Sequence, residues 1–285
     1  VVTEMTTRHT EIYSGKAKRR VIYGVQYLFL IVVSIVCVFP FLWMLIGATN
    51  KSMDITLGKM SLGNQFFNNL KNLLEAGDLL TCLKNSAVLS VFITVLSMLI
   101  CSFAGYGFVI FQSKKKEFFF SLILLSMMIP TSSLVIPMFK MFNSMHLLNT
   151  KLGVVLPALS TAFLIFFFRQ NTKNFPLETI QSARIDGLGE FGIFFKIYMP
   201  MMKSTYAAAA IITFMSSWNN YMWPLISLQT KDQRTLPLLI SSLGTAYTPD
   251  YGMIMVGIII TTIPSAAIFF LMQKSFVNSM MGSVK

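Results

Sequence analysis

The sequence predicts an all-α integral membrane protein, a bundle of six transmembrane helices. Of its 285 residues, 54% are hydrophobic and only 12% charged. The mean hydropathy is +0.66. A soluble domain of this size carries about twice that charged fraction. The charges are also confined to the gaps between apolar runs, as in a membrane protein with basic loops. The runs themselves are long enough, at about 1.5 Å per residue, to cross a hydrocarbon core about 30 Å thick.

Residues 1–20 are polar and end in Lys16, Lys18, Arg19 and Arg20. They resemble the start of a signal peptide, but the uncharged run that follows is far too long for one. It is read as a retained first span, 21–48, with a cytoplasmic N-terminal segment and an expected kink at Pro40. A polar outside connection leads to the second span, 85–112, where Gly105 and Gly107 would let another helix approach closely. Lys114, Lys115 and Lys116 mark an inside turn. The third span, 118–139, is interrupted late by Pro130 and Pro137. The fourth, 152–169, is the shortest, with Lys151 and Arg169 expected to snorkel at its ends. The fifth is 204–228. An outside loop, 229–250, precedes the sixth, 251–273, which contains Pro264. This topology places fifteen of the 23 Lys and Arg residues inside, and so favours cytoplasmic termini.

Several function classes are excluded. A net charge of +12 could suggest nucleic acid, but its distribution fits membrane loops instead. Cys37, Cys82 and Cys101 show no paired spacing, and His9 and His146 have no partner at ligand spacing, so no disulfide or metal site is indicated. Cys37 and Cys101 read as small buried hydrophobes. No charged residue lies between the ends of the six spans, which argues against a proton- or ion-coupled carrier. No acid, base and nucleophile constellation appears, so the chain is not read as an enzyme. It also lacks G-x-x-x-x-G-K-[ST], so any ATP it depends on is bound elsewhere.

The most distinctive stretch is 174–200, a polar, Gly-centred insert between apolar runs. Asn174 is placed to cap a helix, Pro176 suits its first turn, and Glu178 meets the positive end of its dipole. This helix runs through Arg184 and breaks at Asp186–Gly189. A second segment carries Phe191, Phe194, Phe195 and Tyr198 on one face until Pro200 ends it. On these residues alone the stretch is an interfacial helix–turn–helix, either an ordinary amphipathic connector or a docking lever.

Gln181, Ser182 and Ala183, then Asp186 and Gly187, then Ile197 and Pro200, resemble the "EAA" loop of bacterial ATP-binding-cassette importer permeases. That motif reads Glu-Ala-Ala, three residues, Gly, and later Ile-x-x-x-Pro. Gln181 and Ser182 depart from it, which removes the acidic contact and keeps the helical shape. The closest likeness is to the shorter permease of the maltose-type pair. The resemblance implies a type I importer fold in the bacterial cytoplasmic membrane and a second, different permease. It further implies two ATPase subunits binding ATP and Mg, an extracytoplasmic solute-binding protein and a carbohydrate cargo. Loop 174–200 would couple to the ATPases, and no cofactor would be bound by this chain.

Trp218, Asn219, Asn220, Tyr221 and Trp223 form a second candidate. They read either as an aromatic belt anchoring the fifth span or as part of a translocation path or outer gate, where amides and aromatic faces suit sugar. By resemblance, loop 229–250 would reach toward the binding protein and the tail Met281–Lys285 would touch an ATPase. A solvated connector and a frayed end are the plainer readings. A permease for glycerol phosphate, a stand-alone carrier and a structural scaffold remain as alternatives.

Overall fold

A computed structural model describes the backbone of residues 2–282 and the side chains of residues 22–273. The tail Ser283–Lys285 and the side chains of the 1–20 segment lie outside the described residues. Among the described residues all regular structure is helical. Three helices are long and apolar enough to cross a membrane, or up to five if each of two bent pairs is one span.

Helix α1 (Val2–Ala48) holds Pro40 and continues past it. The connection after it folds into α2 (Ser52–Thr56) and α3 (Phe66–Ala76). Helix α4 (Leu79–Ile110) starts before the expected Asn85, because Asp78 caps it by accepting from the Thr81 amide. Lys84 therefore lies in its second turn. The stretch read as one span at 118–139 is two helices, α5 (Lys114–Ser126) and α6 (Thr131–Ser144), bent by 102°. The break falls at Pro130, which has no N–H to continue α5 and disfavours helix at Ile129. Pro137 is carried inside α6. The fourth stretch is also bent, by 41°, between α7 (Lys151–Val155) with its following turn and α8 (Ala162–Thr172). Thr161 caps α8 through the Leu164 amide.

Helices α9 (Leu177–Ile185), α10 (Glu190–Ile193) and α11 (Met199–Met201) make up the 174–200 loop. The predicted fifth span is α12 (Lys203–Trp218), a break at Asn219–Tyr221, and α13 (Met222–Ser227). Loop 229–250 is not a bare connector. Within it, α14 (Leu236–Gly244) buries Leu236, Leu238 and Leu239 in the core. Helix α15 (Tyr251–Gly282) closes the fold with Pro264 inside it.

Helix α4 is the central element, packing on α8, α12 and α14. Along its buried face runs a stripe of small residues, Cys82, Ser86, Ser90, Thr94, Ser97, Cys101 and Gly105, flanked by Leu79, Leu89, Ile93 and Tyr106. Small side chains let helices in a membrane meet backbone to backbone. At Gly105, a Cβ would lie 2.7 Å from Phe168 Cβ and 2.8 Å from the Arg169 nitrogen. Gly107 faces open space, so only one of the two expected close approaches exists. The serine and threonine hydroxyls on this face bond mostly to their own helix, as Thr94 does to the Ser90 carbonyl at 2.6 Å. Ser86 instead accepts from the Leu236 amide at 2.7 Å.

Arg169 does not snorkel. It is 8% exposed and paired with Glu117 on α5, with its Nη2 2.7 Å from Oε2. The guanidinium also stands 3.8 Å from the Phe120 ring centre. A cation–π contact and a charge-assisted bond thus lock α5 to α8. Cys101 is buried as expected, whereas Cys37 is exposed on α1. Helix α1 exposes apolar side chains from Ile22 to Leu42 and joins the core only near Ala48.

At that end of the bundle, Asp250 accepts from Ser52 Oγ at 2.7 Å, Asn72 Nδ2 at 3.2 Å and the Met253 amide at 3.2 Å. It thereby ties α15 to α2 and α3. Partial burial opposes its ionisation, but the bonds from Ser52, Met253 and Asn72 outweigh that and hold the carboxyl below its usual value.

Two stability predictions follow from this packing. Gly105→Ala should cost about 1–3 kcal/mol by overpacking, while Gly107→Ala, in open space inside a helix, should stabilise by up to about 1 kcal/mol; thermal melting of the purified protein in detergent checks both. For Asp250, a depressed carboxyl stabilises the fold above the unfolded value, and that stability is lost as pH falls through the folded one. Between about pH 5 and pH 2, the wild-type melting temperature should therefore fall further than that of Asp250→Asn.

Candidate functional site

The 174–200 loop is built on a proline start, a glycine stop and a buried aromatic cluster. Helix α9 begins after Pro176, which occupies the cap position without a side-chain bond. Asn174 is not the cap. The helix ends where Gly187 adopts φ +82. There the Leu188 amide donates to the Ala183 carbonyl at 3.0 Å and the Gly187 amide to the Arg184 carbonyl at 3.1 Å. This is a Schellman stop, in which the left-handed position is open to glycine at no steric cost.

The second arm does not end at Pro200. It passes from α10 into one widened π turn, Phe194–Tyr198, through α11 and on into α12 with only Met202 out of helical form. Proline clashes with the carbonyl four residues back, and the widened turn accommodates it. The Met202 amide still donates to the Tyr198 carbonyl and the Tyr206 amide to that of Met202, both at 3.0 Å. From Glu190 to Trp218 the chain is therefore one nearly continuous helical rod.

The aromatic residues split in a way the sequence spacing did not predict. Phe194 and Tyr198 are buried, but Phe191 and Phe195 are 75% and 47% exposed. Phe103 on α4 stacks on Phe194 with centroids 4.0 Å apart, and Tyr198 shares a 2.6 Å hydroxyl contact with Thr172 on α8. The rod is thus fastened to α4 and α8.

Of the motif residues, Ala183 is buried with Ile180 against this cluster, and Ile197 is half-buried beside it. Gln181, Ser182, Asp186, Gly187 and Pro200 are exposed. Ile185, which the sequence reading did not single out, is 86% exposed next to them. Helix α9 accordingly presents an outer face of Gln181, Ser182, Ile185 and Asp186, uncovered in this chain. Behind it, Glu190 bonds both to Arg184 on α9, 2.7 Å away, and to Tyr106 on α4, 3.1 Å away.

At the other end of the rod, the two tryptophans are core residues. The Trp218 Nε1–H donates to the Thr261 carbonyl at 2.9 Å, and that of Trp223 to the Gly153 carbonyl at 2.8 Å. Asn220 is half-buried, and it and both tryptophans are absent from the cavity wall. Asn219 and Tyr221 do line a cavity of about 550 Å³, together with Ser241, Thr261, Thr262 and Ser265. Tyr221 accepts from Ser241 Oγ at 3.1 Å. The Ser265 hydroxyl is buried with no partner. Among the described residues no charged side chain lines this cavity. It is an open hollow in this chain, with a few polar groups on an apolar wall, and its volume falls within the range of small-molecule sites. The four hydroxyl residues were missed because they sit on α14 and α15, and only the packing of those helices against the α12–α13 break brings them to Asn219. Among the described residues no cluster of metal-ligating side chains exists.

The same arrangement of helices occurs in a solved structure titled a bacterial ABC transporter involved in the import of the acidic polysaccharide alginate. The superposition has a TM-score of 0.79, covering 90% of this chain and 97% of that one at 20% identity, and it shows a permease fold. Residues 97–282 match the family described as "Binding-protein-dependent transport system inner membrane component", and the chain belongs to that family. It is 45% identical to the lactose transport system permease protein LacG of Rhizobium radiobacter, over 94% of this chain and 98% of the relative. It is 35% identical to the arabinooligosaccharides transport system permease protein AraQ of Bacillus subtilis (strain 168), over 90% and 94%.

One prediction comes from the Schellman stop. Gly187→Val forces a branched side chain into the left-handed region and should cost about 1–2 kcal/mol locally. Faster proteolytic cleavage between Arg184 and Glu190, at unchanged overall helix content, is the expected observation.

Proposed function

We propose that this chain is the non-catalytic permease subunit of an ATP-driven carbohydrate importer, with an oligosaccharide as its cargo. It pairs with a second, different permease and with two ATPase subunits that bind ATP and Mg, and it receives solute from an extracytoplasmic binding protein. Both termini lie on the cytoplasmic side, as the distribution of basic residues supports.

The observation that carries this reading is the continuity of the rod. It starts behind the uncovered face of α9 and ends at a cavity with hydroxyls, an amide and no charge. Closure of an ATPase pair against Gln181, Ser182, Ile185 and Asp186 would push the loop. The push would travel along α12 to the cavity about 24 Å away, that helix being sixteen residues at about 1.5 Å each. Alternating access then follows if the spans have two packings and nucleotide biases one of them. An uncharged lining favours a neutral polyhydroxyl solute over glycerol phosphate, whose charge would call for a cationic wall. It equally disfavours a stand-alone ion-driven carrier.

Gentle isolation from the native membrane, with mass identification of what co-purifies, tests the assembly. A second permease and a P-loop ATPase at one to one to two are expected. If the chain instead came away alone and transported solute, the reading would be wrong. In the reconstituted assembly, Asn219→Ala and Tyr221→Phe should each lower oligosaccharide uptake about fivefold, the worth of one neutral hydrogen bond. Trp218→Phe should act mainly on stability, since its indole N–H is spent on the Thr261 carbonyl.

A further inference from the structure

We infer that Glu190 is a positioning residue that joins the docking helix α9 to the rod, so that force on α9 is transmitted instead of being lost in local sliding. The inference rests on the function proposed above. Glu190 is the first residue of the rod, and both of its carboxylate oxygens are engaged. Oε1 accepts from Arg184 Nε at 2.7 Å, and Oε2 accepts from the Tyr106 hydroxyl at 3.1 Å. Arg184 lies on the last turn of α9, and Tyr106 is a buried residue near the end of α4. One side chain therefore connects the docking helix, the rod and the central helix of the bundle.

Its surroundings argue for transmission over simple stability. Arg184 and Glu190 are each 40% exposed, and an exposed ion pair adds little to folding. The remaining connection between α9 and the rod is apolar: Ile180, Ala183 and Leu188 against Ile193 and Phe194. Apolar contact is non-directional and resists separation more than rotation. A charge-assisted bond anchored on Tyr106 fixes both angle and register. Among the described residues, Arg169–Glu117 joins α5 to α8, while Lys59–Asp54 and Lys71–Glu75 join residues five and four positions apart with no chain reversal of this kind between them. The Arg184–Glu190 pair instead spans the Gly187 turn, the point at which the two arms would otherwise hinge.

The test uses the full assembly in proteoliposomes, with ATP hydrolysis and oligosaccharide uptake measured together. Glu190→Gln should keep hydrolysis within about twofold and lower uptake per ATP at least fivefold. Tyr106→Phe should give a smaller loss. The exchanged pair Arg184→Glu with Glu190→Arg should recover at least half of the lost ratio; a merely structural role would lower hydrolysis and uptake together and leave the ratio itself unmoved. An unchanged ratio in Glu190→Gln would overturn the inference. So would a parallel loss of hydrolysis and uptake in all three variants, the mark of weakened docking. If the wild-type assembly showed no ATP-dependent uptake, the proposed function itself would fail, whatever Glu190 does.

Discussion

Close approach along one face of α4 is the constraint on which the rest of the chain depends. Lipid supplies little hydrophobic drive between helices, so contact must come from fit. The stripe from Cys82 to Gly105 removes side-chain bulk along nearly the whole helix, and α8, α12 and α14 settle into the space. The two ends are then finished differently. At the loop end, aromatic rings fill the gap between α4 and the rod. At the opposite end, polar side chains cross-connect distant segments, as Asn85 does to the carbonyls of Asp232 and Arg234.

Much of this was legible in the sequence, because the signals were local. Apolar runs without charge announced membrane helices, and Asp186-Gly187 announced a turn. What stayed hidden depended on partners far along the chain. The 118–139 run reads as one span by composition; Pro130 shows where it breaks, and not that the two halves turn by 102°. Arg169 at the edge of an apolar run reads as a snorkelling end until Glu117 arrives from another helix. Trp218 and Trp223 read as path or belt residues, yet each indole N–H is satisfied by a carbonyl at least 43 positions away. The small-residue stripe was open to inspection, since its members recur every three or four positions. Attention to Gly105 and Gly107 alone missed it.

The π turn and the Schellman stop give the 174–200 loop two contrasting mechanical elements in a short stretch. At Gly187 the backbone reverses with no side chain to obstruct it. At Phe194–Tyr198 the helix absorbs a proline and keeps its direction. A tight turn braced by the Arg184–Glu190 pair, followed by a stiff arm, is what a lever needs, and the two elements are only seven residues apart at their nearest positions.

The cross-connections at the Asp250 end bear on how the chain is made. Asp250 holds Ser52 and Asn72 from 198 and 178 positions away, and Ser86 meets Leu236 across 150. During synthesis, α2, α3 and the start of α4 must therefore wait without these partners until α14 and α15 emerge. Contacts of such high sequence separation form late. A chain stalled or truncated before Leu236 would retain its apolar spans yet lack the groups that close this end. Closure of this end thus waits on residues from Leu236 onward, whatever the order in which the apolar spans insert.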